Sequence, residues 1–370
     1  MEKKEYAFWL SNIKNIGPVK IDDLMNYFGG PDEIFHAPSE SLKKLSEKWI
    51  TDKRFRFTDK DVYEIITSRD PQKIQREYAN LEKNGIYFVS KEDDIYPEKL
   101  REIYAPPYAL YYKGKLPAKK EKMIAIVGAR NCSAYGMEMA KFFAGKLAKA
   151  GISIISGLAR GIDSGAHKGV LSEDGITYGV LGCGIDICYP KENQDLYQRM
   201  QIKGGIISEY APKIPPFAGN FPMRNRLISG LSDAVLVIEA KEKSGSLITV
   251  DMGLEQGKEI YALPGRVGDS LSEGCNNLIK MGAKLVTTPK DILEEMIENY
   301  EQYMDFTKKN NNSLETAGKI VYACLSLEPK HIDEIAYQTG LSVDALVEQL
   351  LMLELSGMAK QIIKNYYCIQ

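Results

Sequence analysis

At 370 residues, with 44% hydrophobic and 26% charged residues, the chain has the composition of a soluble globular protein, and its length implies two or three domains. A formal net charge of −2 excludes a surface coated in positive charge, so any affinity for a polyanion must come from a local cluster of basic side chains. No stretch approaches the roughly 20 apolar residues of a membrane span, and the start MEKKEYAFWL has no signal-peptide core, which predicts a cytoplasmic protein with no membrane partner.

The six cysteines include no C-x-x-C pair, and His36, His167 and His331 lie far apart. A structural zinc site needs closely spaced ligands, so the cysteines read as small buried hydrophobes in a reducing compartment, and no metal is expected.

Residues 1–72 read as a helical domain. LSNIKNIGPVKIDDLMNYFGG places Ile13, Ile16, Leu24, Tyr27 and Phe28 at helical spacings around a Gly17-Pro18 turn, and Gly29-Gly30-Pro31 stops one helix and opens the next. The segment resembles a helix-hairpin-helix or SAM-like bundle. Turn amides of such hairpins can hold DNA phosphates, but Pro18 removes one donor, and a mainly structural role is expected.

Over residues 73–298 short apolar runs alternate with helical stretches: GIYFVS, KMIAIVGA, ISIISG, TYGVLGC, GGIISEY, DAVLVIEA, KEIYALPG and AKLVTT, each bounded by glycine or a polar turn. Continuous apolar strands alternating with helices indicate a doubly wound, mostly parallel α/β sheet covered on both faces. Residues 299–312, rich in lysine and asparagine, read as a linker, and residues 313–370 as three helices and a hairpin, a winged helix. Its candidate recognition helix, SVDALVEQLLMLELSG, has no Lys or Arg, and the segment carries four Lys against seven Asp and Glu. It is therefore expected to contact protein rather than duplex DNA.

In a sheet of this kind ligands bind beyond the carboxyl ends of the strands. The first central strand ends Val127-Gly128-Ala129-Arg130. Arg130 stands at the second glycine of a G-x-G-x-x-G loop, and no acidic residue ends the following strand ISIISG, so neither NAD nor FAD, nor any other cofactor, is expected. The Arg130 guanidinium offers a permanently charged fork suited to a phosphodiester, the alternative being a pair with Glu209 or Asp163. Ser156, Gly157 and Arg160 follow the next strand before a helix that starts near Asp163, and His167 is expected to pack within that helix rather than act as a base.

In PPFAGNFPMRNRLISG, Phe221 precedes Arg224, Asn225 and Arg226. An exposed ring beside two guanidiniums makes a platform for unpaired bases, the ring taking the base and the arginines the phosphates. The alternative buries both loop phenylalanines as anchors, and for Phe217 that reading is preferred. Lys243, Ser244, Gly245 and Ser246 open a further helix and form a phosphate-ready site.

The ordered motifs MIAIVGARNCSAYG, SGLARGIDSGAH, LGCGIDICYP, GGIISEY, FPMRNRLISGLS, KSGSLIT, ALPG and GCNNLIKMGAKLV resemble the DNA-processing protein A (DprA, or Smf) family through roughly residues 75–298, and YPEKLREIYAPPYALYYKG resembles it too. The resemblance implies an extended Rossmann-like fold that binds single-stranded DNA, dimerises, and helps load RecA during natural transformation, without catalysis. It places the DNA pocket on Arg130, Phe221, Arg224 and Arg226, and self-association around Asn277, Leu278 and Leu285. Ala218 stands where some members carry a basic side chain. The rival reading is a phosphoribohydrolase on a similar core, which needs a P-G-G-x-G-T-x-x-E loop where this chain reads KSGSLITVDMGLEQ.

Overall fold

The structure, a computed structural model, describes residues 1–51, 57–297, 316–326, 328–355 and 357–369. It divides into two compact units, Met1–Met296 and Ile297–Gln370.

The first unit is built on a nine-stranded sheet. Its strands are β1 (Tyr87–Ser90), β2 (Ala109–Gly114), β3 (Met123–Val127), β4 (Ser153–Ser156), β5 (Thr177–Leu181), β6 (Gly205–Ser208), β7 (Ala234–Val237), β8 (Glu259–Ala262) and β9 (Lys284–Leu285), in the order β1-β2-β6-β5-β4-β3-β7-β8-β9. From β6 to β9 all neighbours are parallel, while β2 is antiparallel to both β1 and β6. The chain runs outward from β3 to β6 on one side and from β7 to β9 on the other. The order therefore reverses between β3 and β7, where the strand ends diverge and leave a crevice. The inner strands β3, β4, β5 and β7 are buried throughout, the two-sided burial that their unbroken apolar runs require.

Each run read as a strand forms one. The apolar run ALYYKG forms β2, a strand that was recognised only as part of a motif.

The expected boundary at residue 73 falls inside the helix Pro71–Lys83. The N-terminal helices share a core with the sheet: Phe8 packs edge-on against Phe88 at 5.6 Å, and the Asn12 side-chain amide donates to the Tyr111 hydroxyl at 2.6 Å. This aromatic seam joins the helical region and the sheet into one unit, because separating them would expose several large rings to water. As expected, helices break at Gly29-Gly30 and restart at Pro31.

The second unit has helices Thr316–Cys324, Ile332–Thr339 and Val343–Leu355 and a three-stranded sheet of β10 (Lys330–His331), β11 (Ala359–Ile363) and β12 (Tyr366–Ile369). It is a winged helix whose core includes Val321, Ile335, Leu346, Leu350 and Leu353. The expected linker 299–312 lies outside the described residues. No helix among the described residues is long and apolar enough to cross a membrane.

Candidate nucleic-acid interface

The crevice at the β3/β7 reversal encloses about 620 Å³. Arg130, Tyr189, Phe221, Asn225, Lys241 and Lys243 are on its wall.

Arg130 follows β3 through two tightly held residues. A Cβ on Gly128 would lie 2.6 Å from Ile162 and 2.8 Å from the Glu239 carbonyl, and the Ala129 amide donates to that carbonyl at 2.7 Å. Arg130 itself is exposed, with its guanidinium 5.6 Å from the centre of the Phe221 ring. It has no ion-pair partner among the described residues, and the two carboxylates named as alternatives are engaged elsewhere.

Phe221 sits at the start of the helix Asn220–Leu231, half-buried, its ring against Gly182 where a Cβ would meet it at 2.8 Å. Phe217 does not anchor the loop: it is 58% exposed, in contrast to the reading preferred from the sequence. Tyr189 and Lys241 were not picked out from the sequence. Tyr189 follows the glycine-rich end of β5 in CYPKEN, and Lys241 lies four residues beyond the end of β7 in EAKEKSG, both positions on the strand-end rim.

Arg224, which also lines the crevice, and Arg226 are held inside the protein. Both were expected to hold phosphates, yet they are only 4% and 6% exposed. Arg224 donates to the carbonyls of Gly157 (2.9 Å) and Val180, tying the ends of β4 and β5 together. Arg226 makes two bonds to the Glu209 carboxylate, at 2.7 and 2.8 Å. Residues two apart on a helix lie about 200° apart, so the pair cannot share one face. Asn225, between them, lies on the crevice wall, and its amide donates to the Gly245 carbonyl at 3.4 Å.

Ser156 and Gly157 are likewise interior. Ser156 is fully buried with its hydroxyl donating to the Ile126 carbonyl at 2.6 Å, and the Gly157 amide donates to Asp163 at 3.1 Å. A Cβ on Gly157 would lie 2.5 Å from the Arg224 guanidinium. Burial pushes the Arg224 pKa down to about 10, while the nearby Asp163 charge opposes that shift. Burial pushes Asp163 up, and Arg224 opposes that in turn. Arg160 is exposed and paired with Glu192, its second nitrogen 2.9 Å from the carboxylate.

Lys243 and Gly245 are exposed at the start of the helix Gly245–Glu255, with Ser244 as N-cap; the Ser244 and Ser246 hydroxyls bond each other at 2.8 Å. The helix start that follows β3 is filled. The Glu239 carboxylate accepts the Ser133 amide at 2.9 Å and the Ser133 hydroxyl at the head of the helix Ala134–Lys149. That position, where a dinucleotide's pyrophosphate would lie in this fold, is occupied by an anion of the protein itself.

His167 is fully buried and bonded to the Thr177 hydroxyl at 2.8 Å, and burial lowers its pKa to about 3. Cys183, Cys275 and Cys368 are buried, and burial raises the thiols of Cys183 and Cys188 to about 11 and that of Cys275 to about 12. Among the described residues no cluster of His, Cys, Asp or Glu could hold a metal ion. Asn277 and Leu278 are half-buried on the helix Glu273–Lys280, and Leu285 is 53% exposed on the edge strand β9.

The fold and crevice define a Rossmann-like α/β protein with a cationic, aromatic-bearing cleft and an additional winged helix. Residues 87–297 match the model of DNA recombination-mediator protein A, and residues 307–362 match that of the DprA winged helix domain. The chain belongs to the DNA recombination-mediator protein A family. It is 39% identical to Protein Smf of Escherichia coli over 75% of this chain and 76% of that one, and 41% identical to DNA processing protein DprA of Streptococcus pneumoniae over 64% and 86%. The X-ray structure of the Streptococcus pneumoniae protein covers 81% of this chain and matches over 100% of its own length, at 34% identity and TM-score 0.68. A structure of DNA processing protein A from Helicobacter pylori, described for its single-stranded DNA binding mode, covers 56% of this chain and 94% of its own, at 30% identity and TM-score 0.51.

Proposed function

We propose that this protein binds single-stranded DNA in the crevice between the ends of β3 and β7. One observation carries the reading: an exposed Arg130, with no ion-pair partner among the described residues, lies over the Phe221 ring. A base on the ring and a phosphate on the guanidinium satisfy both groups at once, without reading base identity. Lys241, Lys243 and the helix start at Gly245 continue the cationic path along the rim. Of the residues first assigned to the DNA, Arg130, Phe221, Asn225, Lys243, Ser244, Gly245 and Ser246 keep contact roles, and the buried Arg224 lines the floor.

The protein acts by binding, in the cytoplasm, and not by catalysis; it protects incoming or recombining strands and helps load RecA. It forms a homodimer through the surface around Asn277, Leu278 and Leu285, where β9 leaves a sheet edge unpaired. What supports the binding role is family membership together with the Helicobacter pylori relative.

Fluorescence anisotropy with a labelled oligothymidine and the matching blunt duplex tests the reading: the single strand is expected to bind more tightly. Equal affinity contradicts it. Free base released from nucleoside monophosphates would favour the phosphoribohydrolase reading instead.

A further inference from the structure

Phe221 is one half of an aromatic pair. The Tyr189 ring lies 5.5 Å from it with the two planes tilted by 39°, and Tyr189 is 45% exposed. The loop holding Tyr189 is fastened on both sides. Cys183, Ile185 and Pro190 are buried, and the Asn193 amide donates to the carbonyls of Leu158 and Ala159 at 2.9 and 3.2 Å. The Tyr189 hydroxyl has no hydrogen-bond partner among the described residues. A large ring is thus held in water by a well-anchored loop, beside the crevice's other ring.

A base clamped between the two rings would need parallel faces about 7 Å apart, twice the spacing of about 3.4 Å between stacked bases. The observed 5.5 Å and 39° do not allow that. Each ring is left to offer its outer face to a different base. Next to Tyr189, Arg160 and Glu192 form an ion pair whose side chains are 60% and 52% exposed. An exposed pair contributes little, so a phosphate can draw Arg160 away from Glu192 at small cost.

We propose that Tyr189 is a second base-stacking residue: one base rests on Phe221, a neighbouring base of the same strand rests on Tyr189, and a phosphate on that side is met by Arg160. The proposal rests on the reading of the crevice as the single-strand site and extends it past the end of β5.

The test is a double-mutant cycle on the full chain, with anisotropy of a labelled oligothymidine as readout and melting curves confirming the fold. Tyr189→Ala is expected to weaken binding roughly tenfold with an unchanged salt slope, and Tyr189→Phe to bind like the wild type. The double variant with Phe221→Ala is expected to lose the product of the two single losses. Iododeoxyuridine in the oligonucleotide is expected to crosslink to Tyr189 under ultraviolet light. If Tyr189→Ala binds normally while Phe221→Ala does not, the proposal is overturned and the crevice reading stands. If Tyr189→Ala adds nothing to Phe221→Ala, Tyr189 only buttresses the other ring and the proposal is again overturned. Normal binding by both single variants defeats the crevice reading itself.

Discussion

The guanidinium of Arg130 lies 5.6 Å from the centre of the Phe221 ring, and no carboxylate among the described residues pairs with it. Every other arginine first assigned to the DNA is paired or bonded to a carbonyl: Arg160 to Glu192, Arg224 to Gly157 and Val180, Arg226 to Glu209. Arg130 can thus receive a phosphate as it stands, Arg160 only by leaving an exposed ion pair, and the buried Arg224 and Arg226 hold the site in shape.

Arg224→Ala and Arg226→Ala are expected to act on stability. The first removes the Arg224 donor from the buried Gly157 and Val180 carbonyls, and the second strands the Glu209 carboxylate. Each loss costs about 2–5 kcal/mol. Urea melts are expected to show the loss, while the folded fraction keeps a wild-type salt slope for single-strand binding. A variant that melts normally but binds DNA weakly, with a flatter slope, would return these arginines to the phosphates.

Acid is expected to destabilise the first unit through His167. Its folded pKa, lowered to about 3, lies below the ordinary 6.5, so the unfolded chain takes up this proton first as the pH falls. The stability tied to the neutral ring is full above 6.5 and is lost between there and about 3, at up to about 1.4 kcal/mol per pH unit. Asp163, raised by burial, works in the opposite direction. Comparison with His167→Asn cancels that contribution, and the variant's stability is expected to fall less steeply between pH 6.5 and 4. Parallel curves would mean that His167 titrates normally.

The winged helix is expected to contact protein. Its helix Val343–Leu355 buries Leu346, Leu350 and Leu353 and exposes Val343, Val347 and Leu351 beside Asp344 and Glu348. An apolar stripe with acidic neighbours repels a phosphate backbone. Truncation after Asn312 is expected to leave single-strand affinity within a few-fold, and the isolated unit is expected not to shift duplex DNA in a low-salt gel. A shift that disappears when Lys360 and Lys364 are neutralised would assign duplex binding to the β11–β12 hairpin.

Much of this architecture was legible in the sequence because buried parallel strands leave unbroken apolar runs, as in MIAIV of β3 and AVLV of β7. Strand β2 was harder to see: ALYYKG carries tyrosines and ends in Lys113-Gly114 at an antiparallel margin where burial is partial. In the site, Arg130 and Phe221 were readable from their places at a strand end and a helix start. The fates of Arg224 and Arg226 depend on partners distant in sequence, the Val180 carbonyl and Glu209, which adjacency in FPMRNR does not reveal. Their spacing of two did carry a warning, since a helix sends such residues to opposite sides. The Glu239 carboxylate at the head of the helix Ala134–Lys149 was hidden for the same reason, its partner Ser133 lying 106 residues earlier.

The most direct test compares the salt dependence of single-strand affinity for the wild type, Arg130→Ala and Phe221→Ala. Each phosphate neutralised contributes about −0.7 to the slope of log affinity against log salt, whereas stacking releases no counterions. Arg130→Ala is expected to bind more weakly with a slope shallower by about 0.7, and Phe221→Ala to lose about 1–3 kcal/mol at an unchanged slope. Wild-type affinity and slope in both variants, with the fold intact, would contradict the crevice as the site of single-stranded DNA.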